Sequence, residues 1–377
     1  MIYLDNAATS RFKPPSVLKA ATDAIANSTN AARSSGKEAF AVAERIAETR
    51  NVLQALVGGK NHAVAFSQNC TTALNLAVLG SVERGWHVVT TALEHNSVLR
   101  PLFELKRRGI IRLTVLRPEQ NGKISPQALA NALRSETAMV VVGGTSNVTG
   151  VSQDLFTLCH VVKSNLPGAL FVCDLAQTVG HELVDVGKIG ADMAAFPMHK
   201  GLHGVQGCGV LVFDKSRPPR PVVFGGTGTE SHLLTQPRTI PEGLEAGTLN
   251  LPAVLSAYYA VEWWVNGFAE HTQKVAALCK KLHDDLSKIR GVRLYSAPNA
   301  SGIVAFDVGG TDSTLASDLL GEKGFVVRGG LHCAPLAHDF LGTTECGLVR
   351  ASVAMDNTES QIDEFCQAVA DCAKKGA

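Results

Sequence analysis

The sequence predicts an α/β fold with a mostly parallel β-sheet, followed by a smaller α+β region. Between residues 63 and 215, short β-branched runs alternate with segments of helical spacing, and this alternation is typical of βαβ units. After residue 250 the pattern changes to long helical stretches followed by short strands. A chain of 377 residues exceeds one typical hydrophobic core. We therefore expect a large domain over 16–250 and a small domain formed by 1–15 and 251–377.

The composition argues against several classes of function. The chain has 35 basic and 34 acidic residues, a formal net charge of +1, and no basic block of the kind that binds nucleic acid. No apolar run is long enough to cross a bilayer, and the opening MIYLDNAATS lacks the basic and apolar segments of a signal peptide. We expect a soluble cytoplasmic protein that binds neither membranes nor nucleic acid.

The predicted strands of the large domain end in polar residues. Ligands of parallel sheets bind at the carboxyl ends of the strands, so these residues are candidates for a site. The strands are AVAFSQN, HVVTTALE, AMVVVGGTSN, ALFVCDLAQ and GVLVFDK, and helical spacing covers 37–57, 97–108, 125–133 and 155–164. For the small domain we expect helices over 252–266, 268–289, 312–323 and 358–374, with strands in GVRLYS, GIVAFDV, GFVVRGG and LVRASVA.

The segment FPMHKGLHG ends a predicted strand with His199 and Lys200 before a run of glycines. A desolvated lysine has a lowered pKa and can act as an amine nucleophile toward a carbonyl cofactor. A solvated loop lysine is an equally good interpretation of the local sequence.

Asp174 and Gln177 follow a predicted strand in FVCDLAQ. A lone aspartate at such a position is often only a helix cap. An acid group is also what a pyridoxal-phosphate enzyme needs at the pyridine nitrogen of its cofactor. The lysine loop downstream favours this second interpretation.

Two further strand ends carry candidate ligands. SQNCTTALN opens a helix whose free amide groups, together with the hydroxyls of Thr71 and Thr72, would suit a phosphate; plain N-capping is the alternative. His95 in LEHNS could stack on a cofactor ring, or could be an exposed residue beside a capped helix.

Cys333 differs in its surroundings from most of the nine cysteines. It lies in RGGLHCAPLAH, among glycines, histidines and a proline, where side chains tend to face solvent or a ligand. No CxxC pair occurs, so we expect no zinc ribbon and no metal site, and a cytosolic chain does not favour a disulfide framework. The alternative for Cys333 is an inert loop thiol.

In their order along the chain, these motifs resemble the class V aminotransferase family of fold type I pyridoxal-phosphate enzymes, from YLDNAAT near the start to RASVAMDNT near the end. They are most similar to cysteine desulfurases and selenocysteine lyases, because RGGLHCAP is similar to the persulfide-forming loop R-x-G-H-H-C-A-x-P of the second desulfurase group. The resemblance implies a seven-stranded, mostly parallel sheet, a pyridoxal 5'-phosphate cofactor and a homodimer.

The resemblance also implies a role for each candidate residue. Lys200 would hold the cofactor covalently and remove the substrate Cα proton, and Cys333 would take sulfur from L-cysteine and leave L-alanine. At the cofactor, His95 would stack on the ring, Asp174 would contact the pyridine nitrogen and Gln177 the ring hydroxyl. Phosphate binding is implied for Thr71, Thr72 and His199, and Thr248 would contact the phosphate of the neighbouring subunit.

At the substrate, Asn147 and Arg350 would bind the carboxylate, and Asn6 would form a wall of the pocket. Arg328, with His332, would support the thiolate beside the substrate.

Two positions depart from the family pattern. Pro197 replaces a serine or threonine that binds phosphate, and proline offers neither a hydroxyl nor an amide donor. Leu331 replaces the first histidine before the cysteine, which could alter thiolate formation or substrate choice. Three alternatives stay open: a selenocysteine lyase, a class V aminotransferase or β-lyase in which Cys333 is incidental, and a sulfur-relay or scaffold protein with a degenerate site. A sulfur-acceptor protein is a further expected partner.

Overall fold

Strands and helices alternate along most of the chain, and the computed structural model describes residues 1–29 and 36–376. The strands are β1 (Ile2–Tyr3), β2 (His62–Ser67), β3 (His87–Thr91), β4 (Arg112–Leu116), β5 (Thr137–Gly143), β6 (Leu170–Asp174), β7 (Met193–Pro197), β8 (Gly209–Asp214), β9 (Val292–Leu294), β10 (Ile303–Val308), β11 (Phe325–Val326) and β12 (Val349–Ser352). The helices are α1 (Pro15–Asn27), α2 (Lys37–Leu56), α3 (Cys70–Leu79), α4 (Asn96–Arg107), α5 (Pro126–Ala132), α6 (Leu155–Asn165), α7 (Val186–Ile189), α8 (Leu251–Ser287), α9 (Ser313–Glu322), α10 (Pro335–Leu341) and α11 (Glu359–Gly376).

A seven-stranded sheet forms the centre of the molecule, with strand order β2-β8-β7-β6-β5-β3-β4. Neighbours from β7 to β4 pair in parallel, whereas β8 runs antiparallel to both β2 and β7. The predicted α/β fold with a mostly parallel sheet of seven strands is therefore confirmed. Because the parallel strands end at the same edge of the sheet, the polar residues that follow them come together there.

The central sheet is apolar on both faces because its strands are rich in valine. Side chains alternate between the two faces of a strand, so Val140 and Val142 pack into one hydrophobic cluster while Met139 and Val141 pack into another. Both clusters are buried, which is the pattern of a parallel sheet covered on each side by helices.

Two smaller sheets carry the C-terminal part of the chain. One has the antiparallel order β12-β10-β9, and in the other β1 pairs in parallel with β11. The N-terminal segment therefore packs with the C-terminal part, and Leu4 lies in one hydrophobic cluster with Phe306 and Phe365. α8 contributes Leu282 to this cluster and Ala257 to a cluster of the central sheet, so a domain boundary near residue 250 stays a prediction.

A single helix replaces the two that the sequence predicts after residue 250, so that prediction is wrong. α8 runs without a break through Gly267, where the two predicted helices meet. A glycine inside a helix costs only about 1 kcal/mol relative to alanine, which packing against other helices can offset. A Cβ at Gly267 would collide with the imidazole of His271, which stacks on Trp263. The glycine therefore makes room for a side-chain contact and does not end the helix.

No helix within the described ranges is long and apolar enough to cross a membrane. All nine cysteines are free thiols. Six of them are buried, Cys346 is exposed, and Cys70 and Cys333 are half-buried. The two half-buried thiols both border on the site described next.

Candidate active site

A cavity of about 120 Å³ lies at the carboxyl edge of the central sheet. Its wall is built from the segments that follow β2, β3, β5, β6 and β7, as the topology requires. The structure brings together at this cavity seven of the residues that the sequence predicts for the site: Thr71, His95, Asn147, Asp174, Gln177, His199 and Lys200. We call this the Lys200 cavity.

Lys200 follows β7 by three residues and is half-buried. Desolvation lowers the pKa of its amine, although the neighbouring Cys70 and Asp174 oppose the shift. The loop can reach this position because Gly180, at φ 90°, packs directly on the backbone of Gly201, and a Cβ on Gly180 would collide with it. The result is a lysine whose amine is less basic than a solvated one and more able to act as a nucleophile.

Asp174 and Gln177 form the floor of the cavity after β6. Burial raises the pKa of the Asp174 carboxyl. A hydrogen bond from the Ala176 amide at 2.9 Å and the charge of Lys200 oppose this rise without cancelling it. Gln177 donates its Nε2 to the carbonyl oxygen of Ala7 at 2.8 Å. Its Oε1 is buried and has no hydrogen-bond partner among the described residues. A bound molecule that offers a donor would satisfy this oxygen.

His95 is the N-cap of α4. Its Nδ1 accepts hydrogen bonds from the amide of Ser97 at 3.0 Å and from the Ser97 hydroxyl at 2.8 Å, so the neutral ring carries its proton on Nε2. Burial, followed by the positive charge of Lys200, lowers the pKa of His95 to about 4. The cavity therefore contains a neutral imidazole at physiological pH.

The start of α3 and the segment before Lys200 provide polar groups at one end of the cavity. The side chain of Asn69 caps α3 by accepting the amide of Thr72 at 2.9 Å and its hydroxyl at 3.1 Å. Thr71 lines the cavity, but Thr72 does not. His199 contacts the Thr9 hydroxyl through Nδ1 at 3.0 Å, and burial lowers its pKa to about 4.

The loop that carries Cys333 is held against the Lys200 cavity by two hydrogen bonds to its backbone carbonyl oxygens. Asn147 donates its Nδ2 to the carbonyl oxygen of His332 at 2.7 Å, and the amide of Asn96, next to His95, donates to the carbonyl oxygen of Cys333 at 2.7 Å. His332 and Cys333 adopt φ values of 52° and 57°, in the left-handed region that residues with side chains rarely occupy. Consecutive residues in this region persist only where surrounding contacts hold them.

Arg328 and Arg350 lie side by side at the base of this loop, joined by two backbone hydrogen bonds. Arg328 donates from Nη2 to the sulfur of Cys333 at 3.4 Å. Arg350 is fully buried and donates from Nη1 to the Asn147 carbonyl oxygen at 2.9 Å and from Nη2 to Asp5 at 2.8 Å. Its Nε has no partner among the described residues, so the guanidinium keeps donors for a further anion.

Two predicted site residues lie away from the Lys200 cavity. Asn6 borders a smaller cavity of about 20 Å³, which Lys200 also touches, and donates to the carbonyl oxygen of Ser352 at 3.0 Å. Thr248 is exposed and lines a separate cavity of about 290 Å³ beside Arg50 and Glu245. This larger cavity holds none of the lysine, acid and imidazole groups described above.

The two positions that depart from the family pattern lie close to the site. Pro197 is the last residue of β7, pairs with Gly209 of β8 and lines the Lys200 cavity with its ring. Leu331 is half-buried and directly precedes the two left-handed residues of the cysteine loop. The proline ring gives the cavity an apolar wall at a point where the family pattern has a hydroxyl.

Two titratable residues of the cavity wall, Glu94 and Cys70, were not singled out by the sequence analysis. Glu94 accepts at Oε1 from the Thr91 hydroxyl at 2.6 Å and from the Gly143 amide at 3.0 Å, while its Oε2 has no partner within the described part of the chain. Burial raises the pKa of Glu94 to about 8, so it is mostly protonated at neutral pH. The only signal in the sequence was its place before His95 at a strand end.

The fold and the cavity together define an α/β enzyme with a desolvated lysine amine at the carboxyl edge of its sheet. The chain belongs to the class-V aminotransferase family, whose family model matches residues 2–365.

Similar proteins cover almost the whole chain. Probable cysteine desulfurases from Aeropyrum pernix and Pyrococcus abyssi are 31% and 30% identical to it, over 98% and 97% of this chain and 93% and 92% of their own lengths. Among solved structures, a cysteine desulfurase from Thermococcus onnurineus superimposes with a TM-score of 0.90 at 28% identity, covering 99% of this chain and 95% of that one.

Proposed function

We propose that this protein is a pyridoxal-phosphate-dependent cysteine desulfurase that converts L-cysteine to L-alanine and forms a persulfide on Cys333. The observation that carries the proposal is the attachment of the Cys333 loop to the wall of the Lys200 cavity, through the amide next to His95. The names of the relatives support the same activity. A thiol presented to a cavity with a nucleophilic lysine is what sulfur transfer from a bound amino acid requires.

The residues present fit the cofactor. Lys200 would hold it through its amine, Asp174 would face the pyridine nitrogen, and the unpartnered Gln177 Oε1 would accept from the ring hydroxyl. The neutral ring of His95 would stack on it, and Thr71, Thr72 and His199, with the amides of α3, would receive the phosphate. Bound there, pyridoxal phosphate would supply an electron sink for the negative charge that develops at the substrate Cα.

The chain's own groups would bind the substrate and move its proton. Arg350 and Asn147 would bind the carboxylate, and the free Nε of Arg350 supports this role. Lys200, whose amine has a lowered pKa, would remove the Cα proton as a general base. Arg328, 3.4 Å from the sulfur of Cys333, would stabilise that sulfur as a thiolate.

Sulfur transfer would then take place between two sulfur atoms. The Cys333 thiolate attacks the substrate sulfur, a sulfur–sulfur bond forms, and the substrate's carbon–sulfur bond breaks. The carbon skeleton keeps the electron pair and takes up a proton at Cβ, and Lys200 returns the proton to Cα, so that the products are a persulfide on Cys333 and L-alanine. A second protein or a small thiol would accept the sulfur from Cys333.

The same proposal covers assembly and compartment. We expect a homodimer in which Thr248 reaches the partner's phosphate site; the exposed position of Thr248, away from the cavity of its own chain, supports this. The nine free thiols support action in the reducing cytoplasm.

The test compares the parent with Cys333→Ala in the purified holoenzyme. Sulfide and alanine are measured with L-cysteine, and selenide with L-selenocysteine. We expect the variant to keep the cofactor's absorbance and to lose cysteine turnover by at least about 100-fold, because the sulfur acceptor is gone. If selenocysteine turnover alone survives, the protein is also a selenocysteine lyase. If both substrates react unchanged in the variant, Cys333 takes no part and the proposed function is wrong.

A further inference from the structure

Beneath the Cys333 loop lies a line of buried polar groups that the proposed mechanism does not use. His332 contacts the carbonyl oxygen of Arg328 through Nε2 at 3.1 Å and the Nε2 of His338 through Nδ1 at 3.2 Å. His338 in turn contacts the hydroxyl of Thr343 through Nδ1 at 2.8 Å. His332, His338 and Thr343 are all buried, so water does not compete for these bonds.

The chemistry of these groups determines the direction of every hydrogen bond. A carbonyl oxygen can only accept, so Nε2 of His332 carries a proton and donates to Arg328. The neutral His332 must then accept at Nδ1, which makes Nε2 of His338 the donor. Nδ1 of His338 is therefore an acceptor, and the hydroxyl of Thr343 donates to it. Burial lowers the pKa of His332 to about 2 and that of His338 to about 4, in agreement with two neutral rings.

This one-way line ends at the carbonyl oxygen that anchors the cysteine loop. The Arg328 carbonyl oxygen also accepts the amide of Arg350 at 2.8 Å, so both of its lone pairs are used. His332 therefore hydrogen-bonds to Arg328 through its side chain and to Asn147 through its carbonyl oxygen. These two hydrogen bonds hold His332 in the left-handed conformation that directs the next residue, Cys333, toward Arg328.

We propose that His338 is a positioning residue for Cys333, acting as the middle donor of a hydrogen-bond line that runs from the Thr343 hydroxyl through His338 and His332 to the Arg328 carbonyl oxygen. His338 touches neither the sulfur nor the cavity wall. Without its Nε2 proton, Nδ1 of His332 becomes a buried acceptor with no donor, and the left-handed turn loses a support. The kinetic consequence rests on the proposed function, whereas the effect on the loop does not.

The experiment compares His338→Leu, which removes both nitrogens, with His338→Gln, whose amide can still donate toward His332. The control is His62→Leu, which removes a buried histidine bonded to the Ala191 carbonyl oxygen outside the site. For each holoenzyme we would measure amide hydrogen exchange of residues 328–334, and kcat and KM for L-cysteine.

We expect His338→Leu to speed exchange in 328–334 by about 10-fold or more, since the loop opens locally. It should lower kcat by about 10- to 100-fold while KM changes less than about threefold, because displacement of a nucleophile by about 1 Å has effects of this size. His338→Gln should restore both properties most of the way, and His62→Leu should leave both at parent values.

Unchanged exchange in His338→Leu, or equal damage from His338→Gln, overturns the proposal. If His338→Leu does not fold, Thr343→Val decides by the same two measurements. That variant removes the donor that fixes the His338 tautomer, so a parent-like loop in Thr343→Val also overturns the proposal. If the parent itself makes no sulfide from L-cysteine, the proposed function fails while hydrogen exchange still decides the role of His338.

Discussion

The Lys200 cavity and the Cys333 loop border each other but are organised by different physical means. In the cavity, side chains project from the ends of buried strands, and desolvation sets their chemistry: the pKa of Lys200 falls and those of Asp174 and Glu94 rise. In the loop, position depends on hydrogen bonds to two left-handed residues. Burial thus determines protonation in one region, whereas a small number of polar contacts determines geometry in the other. Substitutions should therefore separate the two.

The largest expected effect comes from removing the lysine amine that we propose as the cavity's nucleophile. Lys200→Ala should abolish both the absorbance of the covalently held cofactor and all turnover, because the variant lacks the amine for both tasks. The Cys333 loop should remain intact, with parent-like hydrogen exchange in 328–334. Visible absorbance spectra and sulfide release measure the first effect. An unchanged spectrum would refute the assignment of Lys200.

A smaller effect is expected from the loop side. Arg328→Met should lower the rate of alanine formation by about 10- to 100-fold, the size of a lost charge-assisted hydrogen bond to sulfur. Arg328→Lys keeps the charge but loses the planar geometry, so its rate of alanine formation should lie between those of Arg328→Met and the parent. The cofactor's absorbance should be unchanged in both. Loss of cofactor from Arg328→Met would mean that cavity and loop are not separable.

The last expected effect concerns stability and not turnover, and it should depend on pH. The pKa of Glu94 is raised to about 8 in the folded protein from an ordinary value of 4.5, so the folded chain keeps a proton that the unfolded chain loses between these values. The contribution of Glu94 to the free energy of unfolding is fully present below about pH 4.5 and declines as pH rises toward 8, by at most about 1.4 kcal/mol per pH unit. Glu94→Gln cannot ionise and should escape this decline.

Urea unfolding of the parent and Glu94→Gln at pH 5 and pH 7.5, without added cofactor, measures this difference. The stability of the variant relative to the parent should increase by on the order of 2–3 kcal/mol between the two pH values. A difference that is the same at both pH values would show that Glu94 is ionised in the folded protein. The contrast is Asp192→Asn, which replaces a buried carboxylate that pairs with Lys163 and Arg217. This variant should be less stable than the parent at both pH values.

The cavity was more predictable from the sequence than the loop was. Asp174 and Lys200 could be singled out because each lies at or just after the end of a buried, mostly apolar strand, and parallel strands bring their carboxyl ends to one edge. Glu94 could not be assigned a role, because its raised pKa comes from burial that only the folded chain creates, and the Gly143 amide of β5 opposes that rise. The helix break at Gly267 was wrong because a glycine signals flexibility in sequence, while its real reason is the ring of His271.

For the Cys333 loop, the sequence indicated the functional residue but not the contacts that hold it in place. The position of Cys333 among glycines and histidines indicated a functional thiol, but not what holds it. The spacing of six residues between His332 and His338 was a visible signal, and its meaning depends on the chain turning back through α10. Hydrogen-bond direction follows from chemistry once the contacts are known, and contacts of this kind cannot be deduced from composition or periodicity.

The ion pair between Asp5 and Arg350 has a consequence for synthesis of the protein on the ribosome. The two residues are 345 positions apart, and Asn6 contacts Ser352 across a similar separation. A growing chain can complete the central sheet long before β12 leaves the exit tunnel. During that interval Lys200 and Asp174 exist without Arg350 or Cys333. The groups proposed for substrate binding and sulfur acceptance are therefore synthesised after the rest of the site, and Arg350 and Ser352 join it by contacting Asp5 and Asn6, which were made much earlier.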